Sequence, residues 1–138
     1  MASVIITDRD MERLLFLIRI RDYNRNCNLW DMHDLRRLLD RAVVVGSRHI
    51  PADIITMNTK FECMDKDTGM RETMRIVFPE DAGGGRDRIS VLSPSGTELL
   101  GRRVGTPFVL CAPQSQTPRR AFITGIIYQP EAAGHYHL

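Results

Sequence analysis

Cysteine is scarce in this sequence. Cys27, Cys63 and Cys111 are far apart in 138 residues and form no CxxC pair, which argues against a zinc ribbon or a dithiol redox motif and predicts a reducing, cytoplasmic compartment. Net charge is also nearly absent. Nineteen Lys and Arg against seventeen Asp and Glu leave +2, far from the excess of a protein that coats nucleic acid. No long hydrophobic run exists: the longest apolar stretch, Leu14 to Ile18, is well short of the roughly 18–20 residues that cross a bilayer. The first residues carry no basic segment followed by an apolar core and a small-residue cleavage site, so no secretory signal is expected. GxSxG is missing, and Gly83-Gly84-Gly85 is not followed by the Lys-Ser/Thr of a phosphate loop; nothing therefore points to a nucleophilic hydrolase or a nucleotide-binding loop.

What is present suffices for a core. Hydrophobic residues make up 43% and charged residues 26%, the balance of a folded chain of one-domain size. From Asp8 to Arg21, Met11, Leu14, Leu15 and Ile18 recur at i, i+3, i+4 and i+7, which predicts a helix capped by Thr7 or Asp8. Leu35, Leu38, Leu39 and Ala42 repeat that spacing over residues 31–42, after a polar, Asn-rich turn. Two amphipathic helices on a short loop predict an antiparallel helical hairpin over residues 1–45; two helices lying separately on the following sheet are the alternative.

After Gly46 the period shortens. Phe61 and Cys63 alternate with polar neighbours, Asp67-Thr68-Gly69 offers a turn, and Met74, Ile76 and Phe78 alternate again, a hairpin pattern. Further strands are predicted at 89–92, 108–111 and 122–128, separated by loops at Gly83-Gly84-Gly85 and at 113–118. Ser93 as N-cap, Pro94 in the first turn, Leu99 and Leu100 on one face and Gly101 at the end predict one short helix. Residues 46–138 thus form an antiparallel sheet with a small helix, and the fold class is α+β. The expected core is Leu14, Leu15, Ile18, Leu35, Leu38 and Leu39 with Ile76, Phe78, Val91, Leu100, Val109 and Ile126.

Candidate chemistry is thin. His135 and His137 flank Tyr136 and would share one face of a strand, but two ligands at a chain end make a weak metal site, and His33 and His49 have no partner at ligand spacing. Cys63 and Cys111 fall in strand patterns as small core residues. Seventeen of the nineteen cations are Arg, and Arg36-Arg37, Arg102-Arg103 and Arg119-Arg120 form pairs. Each pair is either solvated surface or a contact for an acidic protein or nucleic acid.

One combination of motifs carries a resemblance. Ile89-Ser90-Val91-Leu92-Ser93-Pro94-Ser95-Gly96, then Leu99-Leu100-Gly101 and Val104-Gly105, resembles the signature of the C-terminal domain of the bacterial transcription factors GreA and GreB. Asp53-Ile54-Ile55-Thr56-Met57-Asn58 and the ending Tyr128-Gln129-Pro130-Glu131-Ala132-Ala133-Gly134 resemble the Gre-like regulators of nucleoside diphosphate kinase. The resemblance covers essentially the whole chain. It implies an FKBP-like antiparallel sheet domain at 46–138 behind a short helical hairpin, and a partner: bacterial RNA polymerase, met at the rim of its secondary channel. In Gre factors the Ser-Pro loop before the small helix meets the tip of the polymerase β′ coiled coil, which carries over to Ser93 and Pro94, with Leu92 beside them and Arg102 and Arg103 as an electrostatic rim. Leu92 stands where the Gre pattern often has Asp or Asn, and Thr106 where it often has Asp.

Two functions follow from the resemblance. One is a non-catalytic regulator that occupies the channel entrance and competes with Gre-type factors; the other is a transcript-cleavage factor whose acidic residues help hold magnesium. A peptidyl-prolyl isomerase would rest on fold analogy alone. Length favours the first, because a helix over residues 8–21 spans only about 20 Å and Gre cleavage factors have a markedly longer hairpin. Cleavage also needs carboxylates clustered at the tip. Residues 23–30 contain none, Arg25 would oppose a cation, and Asp22 and Asp31 lie only at the flanks. The expectation is a monomeric, cytoplasmic protein with no enzymatic activity, metal or cofactor, no membrane contact, and nucleic acid met only indirectly through the transcription complex.

Overall fold

The computed structural model describes residues 4–23, 33–85, 87–110 and 119–136. The chain opens with a short strand, β1 (Ile5–Thr7), that runs directly into helix α1 (Asp8–Tyr23). Thr7 is the cap: its hydroxyl accepts a hydrogen bond from the Asp10 amide at 3.0 Å, satisfying a donor that the first helical turn leaves open. Helix α2 (His33–Arg41) follows and leads into β2 (Val43–Val45). Sequence periodicity did not indicate β1 or β2, which are only three residues each. They pair in parallel, Ile5 with Val43 and Thr7 with Val45, so the chain leaves this ribbon through α1 and returns to it through α2.

The remaining strands are β3 (Lys60–Asp65), β4 (Arg71–Val77), β5 (Arg88–Ser90), β6 (Pro107–Leu110) and β7 (Arg119–Tyr128), with helix α3 (Pro94–Leu99) between β5 and β6. Their order in the sheet is β5-β4-β3-β7-β6. The pairs among β4, β3, β7 and β6 are antiparallel as expected. At the edge β5 runs parallel to β4, so the loop containing Gly83-Gly84-Gly85 is a crossover rather than a hairpin. Its first part is a 3-10 turn, Pro79–Gly84, fastened by the Arg88 guanidinium to the Asp81 carbonyl at 3.3 Å. Two register shifts between β3 and β7 bend the sheet.

Among the described residues, one apolar cluster draws on both the helices and the sheet. Leu14 and Ile18 from α1 and Leu35, Leu38 and Leu39 from α2 join Ile76, Val91, Leu100 and Ile123. Phe78 and Ile126 pack against its margin. Leu15 and Val109, expected inside, are 49% and 38% exposed. The buried face of α1 is centred on Asp10, Leu14 and Ile18, and at 100° per residue Leu15 points well away from that line. Val109 pairs with exposed Arg120 on the outer side of the sheet, while its neighbour Phe108 faces in.

Hydrogen bonds from β1 to Gly101 and from Met57 to α1 tie the first elements to the later ones, within a wider polar network. The Ile5 amide donates to the Gly101 carbonyl at 3.1 Å and the Gly101 amide to the Ile55 carbonyl at 2.8 Å. Gly101 has φ +78°, and a Cβ there would lie 2.5 Å from Val4 Cγ1, so glycine is required both by conformation and by the passing strand. Asp10, 2% exposed, accepts from the Met57 amide at 3.0 Å and pairs with Arg13. Next to it the Thr56 hydroxyl donates to Glu131 at 3.0 Å, and the Gln129 amide group donates to the carbonyls of Pro51 and Ile54, both at 2.8 Å. Burial, partly offset by the Thr56 hydrogen bond and reinforced by the charge of Asp10, pushes the Glu131 carboxyl above its usual value.

Candidate partner-binding site

The motif Ser90 to Gly96 folds into a rigid turn because each small residue fills a geometric role. Ser93 has extended backbone (φ −70°, ψ 156°), and its hydroxyl accepts from the Gly96 amide at 3.1 Å while donating to the Ser90 carbonyl at 2.7 Å. The Thr97 hydroxyl donates to the carbonyls of Val91 at 2.8 Å and Ser93 at 3.0 Å. A Cβ at position 96 would sit 2.1 Å from the Ser90 carbonyl oxygen, so only glycine lets the first turn of α3 press onto β5. Pro94 holds the first helical position, where no amide is needed.

Exposure sorts the expected site residues. Pro94 is exposed and Ser93 half-buried, whereas Ser95, Gly96 and Thr97 are buried. Leu92 is 4% exposed, so its side chain belongs to the core and only its backbone lies along the turn. Arg102 donates from Nε to the Glu98 carbonyl at 3.2 Å, close to α3, and Arg103 pairs with Asp53 at 3.4 Å between two largely exposed side chains. Asp22 lies in the last turn of α1. Arg25 and Asp31, with Cys27, Cys111 and His137, fall outside the described residues.

A cleft of about 360 Å³ adjoins the turn, lined by Asp34, Leu38 and Arg41 of α2 and by Pro94, Glu98 and Arg102 on the α3 side. A second, of about 370 Å³, lies near the start of α1 beside Arg48, His49 and Tyr136. Among the described residues no group of three or more His, Cys, Asp or Glu could hold a metal ion, and no helix is long and apolar enough to cross a membrane. His135 is engaged with the Tyr128 hydroxyl at 2.6 Å through Nδ1. Burial first, then the nearby Glu72 carboxylate, pushes the Cys63 thiol up to about 11, which keeps it protonated and a poor nucleophile at neutral pH.

Sequence reasoning located the Ser93–Pro94 turn but missed α2 as a wall of the adjoining cleft. The periodicity of α2 marks its leucine face; it does not say which element the charged face borders. It also missed the buried Asp10, whose one available signal was Thr7 three residues earlier, a capping spacing.

Comparison with known proteins shows the family and the fold. Residues 50–127 match the family model described as transcription elongation factor, GreA/GreB, C-terminal. The chain is 31% identical over 136 residues, 99% of its length and 97% of the relative's, to the regulator of nucleoside diphosphate kinase of Escherichia coli K12. It is 29% identical over 82 residues, 59% of this chain and 52% of the other, to the transcription elongation factor GreA of Thermodesulfovibrio yellowstonii. A solved structure, the prokaryotic transcription elongation factor GreA/GreB from Nitrosomonas europaea, superposes with a TM-score of 0.76 at 26% identity, covering 93% of this chain and all of that one. The turn, the sheet that carries it and these matches place the chain in the GreA/GreB C-terminal family, beside the regulators of nucleoside diphosphate kinase.

Proposed function

We propose that this protein is a non-catalytic transcription regulator that binds bacterial RNA polymerase at the rim of the secondary channel and competes there with Gre-type factors. The observation that carries the reading is the exposed Pro94 on a turn fixed from beneath by Ser90, Ser93 and Gly96, inside the segment that matches the GreA/GreB family. A turn already held in one conformation loses little entropy on docking. Its partner in this reading is the β′ coiled coil. The protein acts as a cytoplasmic monomer and meets nucleic acid only through the transcription complex.

The absence of a cleavage role in this proposal rests on reach. Helix α1 has sixteen residues, about 24 Å at 1.5 Å per residue, and residues 23–30 supply no carboxylate. The test is direct binding of the purified protein to core RNA polymerase, with displacement of GreA and no stimulation of cleavage in a backtracked complex. Pro94→Glu, which keeps a residue tolerated at a helix start, should weaken binding at least about tenfold, or 1.4 kcal/mol, with an unchanged melting temperature. Unaltered affinity in a folded variant would remove the turn as the main contact, and robust Mg²⁺-dependent cleavage would overturn the non-catalytic reading.

A further inference from the structure

The cleft beside Pro94 has two walls of different origin. The α3 wall lies within the family-matched residues, but Asp34, Arg37 and Arg41 come from α2, upstream of residue 50 where that match begins. Arg37 and Arg41 are one helical turn apart and exposed, and neither forms an ion pair with a described residue. Leu38, 2% exposed, lies between them and is locked in the core. The helix is therefore fixed with both arginines lining the cleft, and no carboxylate among the described residues pairs with them.

We propose that α2 is part of the docking surface, and that Arg37 and Arg41, with Arg102 opposite, receive an acidic segment of the same protein partner that meets Pro94. The inference rests on the proposed function and deepens it: the α3 side lies within the family-matched residues, and the α2 side adds charge from outside them. Arg37 and Arg41 bring positive charge without an ion-pair partner among the described residues to this cleft, which suits carboxylates arriving on a partner. Guanidinium forks bind carboxylates in a bidentate manner, and groups i and i+4 on a helix are close enough to serve one short acidic stretch. Because both arginines are solvated before binding, their contribution should appear largely in association rate and salt dependence.

The experiment compares the full chain with Arg37→Gln/Arg41→Gln, Arg37→Glu/Arg41→Glu, Pro94→Glu and a control, Arg48→Glu, on the other cleft. Affinity for core RNA polymerase is measured at low and high salt, with melting temperature checking the fold of each variant. Charge reversal should weaken binding tenfold or more at low salt, the glutamine pair severalfold with a shallower salt dependence, and Arg48→Glu less than twofold. If the reversed and neutral pairs bind like the parent while Pro94→Glu is weakened, α2 is not part of the surface and the turn alone docks. If Arg48→Glu costs as much as the reversal, the effect is bulk charge and the assignment to this cleft fails. If no variant, including Pro94→Glu, loses affinity, the proposed function fails along with the inference built on it. Inorganic tripolyphosphate that protects the arginine pair from modification by phenylglyoxal at micromolar concentration, with polymerase giving no protection, would replace the acidic protein segment by a phosphate ligand.

Discussion

The two helices that border the cleft are built in opposite ways. Helix α3 is six residues long and owes its place to backbone and hydroxyl contacts: the Ser93 cap, the Thr97 hydroxyl on two carbonyls, and Gly96 against Ser90. Helix α2 is held on one side by Leu35, Leu38 and Leu39 in the core and presents Asp34, Arg37 and Arg41 on the other. The first arrangement tolerates almost no change at Ser93, Gly96 or Thr97, whose contacts leave no spare space, while the exposed Pro94 lies outside them. The second fixes only the helix position and leaves its outer face open to substitution at little cost in stability. The two walls of one cleft are thus held by different kinds of contact from separate parts of the chain.

Gly96→Ala should break that comparison most severely. A Cβ 2.1 Å from a carbonyl oxygen cannot be accommodated without moving the backbone of α3 or β5, so chemical denaturation should show a loss above about 3 kcal/mol. A melting temperature within experimental error of the parent would mean that the turn is softer than its contacts imply. Leu38→Ala comes next, at about 2–5 kcal/mol for a buried leucine. Its counterpart on α1, the 49% exposed Leu15, should cost less than about 0.5 kcal/mol when changed to alanine. Equal losses for the two leucines would contradict the placement of the core face on either helix.

The smallest effect concerns Glu131, in the polar cluster beside the buried Asp10 of α1. Burial holds the Glu131 carboxyl above its ordinary value of 4.5, against the hydrogen bond from Thr56. The folded form therefore keeps this proton to higher pH than the unfolded chain. The contribution of this group to stability is greatest below the unfolded value and is lost as pH rises through the raised folded value. Glu131→Gln retains an acceptor for Thr56 and removes the titration, so the parent's decline in stability over that interval should flatten. A difference in melting temperature between parent and variant that stays constant from pH 4 to pH 8 would exclude this linkage.

The sequence carried enough to place α1, α2, α3 and most sheet strands, because each has a strong local signal: leucines at helical spacing, a Ser-Pro cap, or alternation bounded by Asp67-Thr68-Gly69. It also marked the Ser93–Pro94 turn, since capping is a contact between residues three apart. Strands β1 and β2 escaped because three residues show no period, and each exists only through the other, 38 positions away. A strand was expected where β5 lies, but its parallel direction escaped, because that pairing depends on a crossover rather than on its own residues.

Tertiary structure alone decided which side chains meet. Periodicity admitted both Leu14 and Leu15 to the α1 core face, and packing chose Leu14 by burying Asp10 on the same line, where the Met57 amide and Arg13 satisfy its carboxylate. It also brought Arg37 and Arg41 beside Pro94 across more than fifty residues. Local sequence determines backbone form through contacts a few residues apart; the neighbours of a charged face depend on how the elements fill one common core, and that is a property of the whole chain.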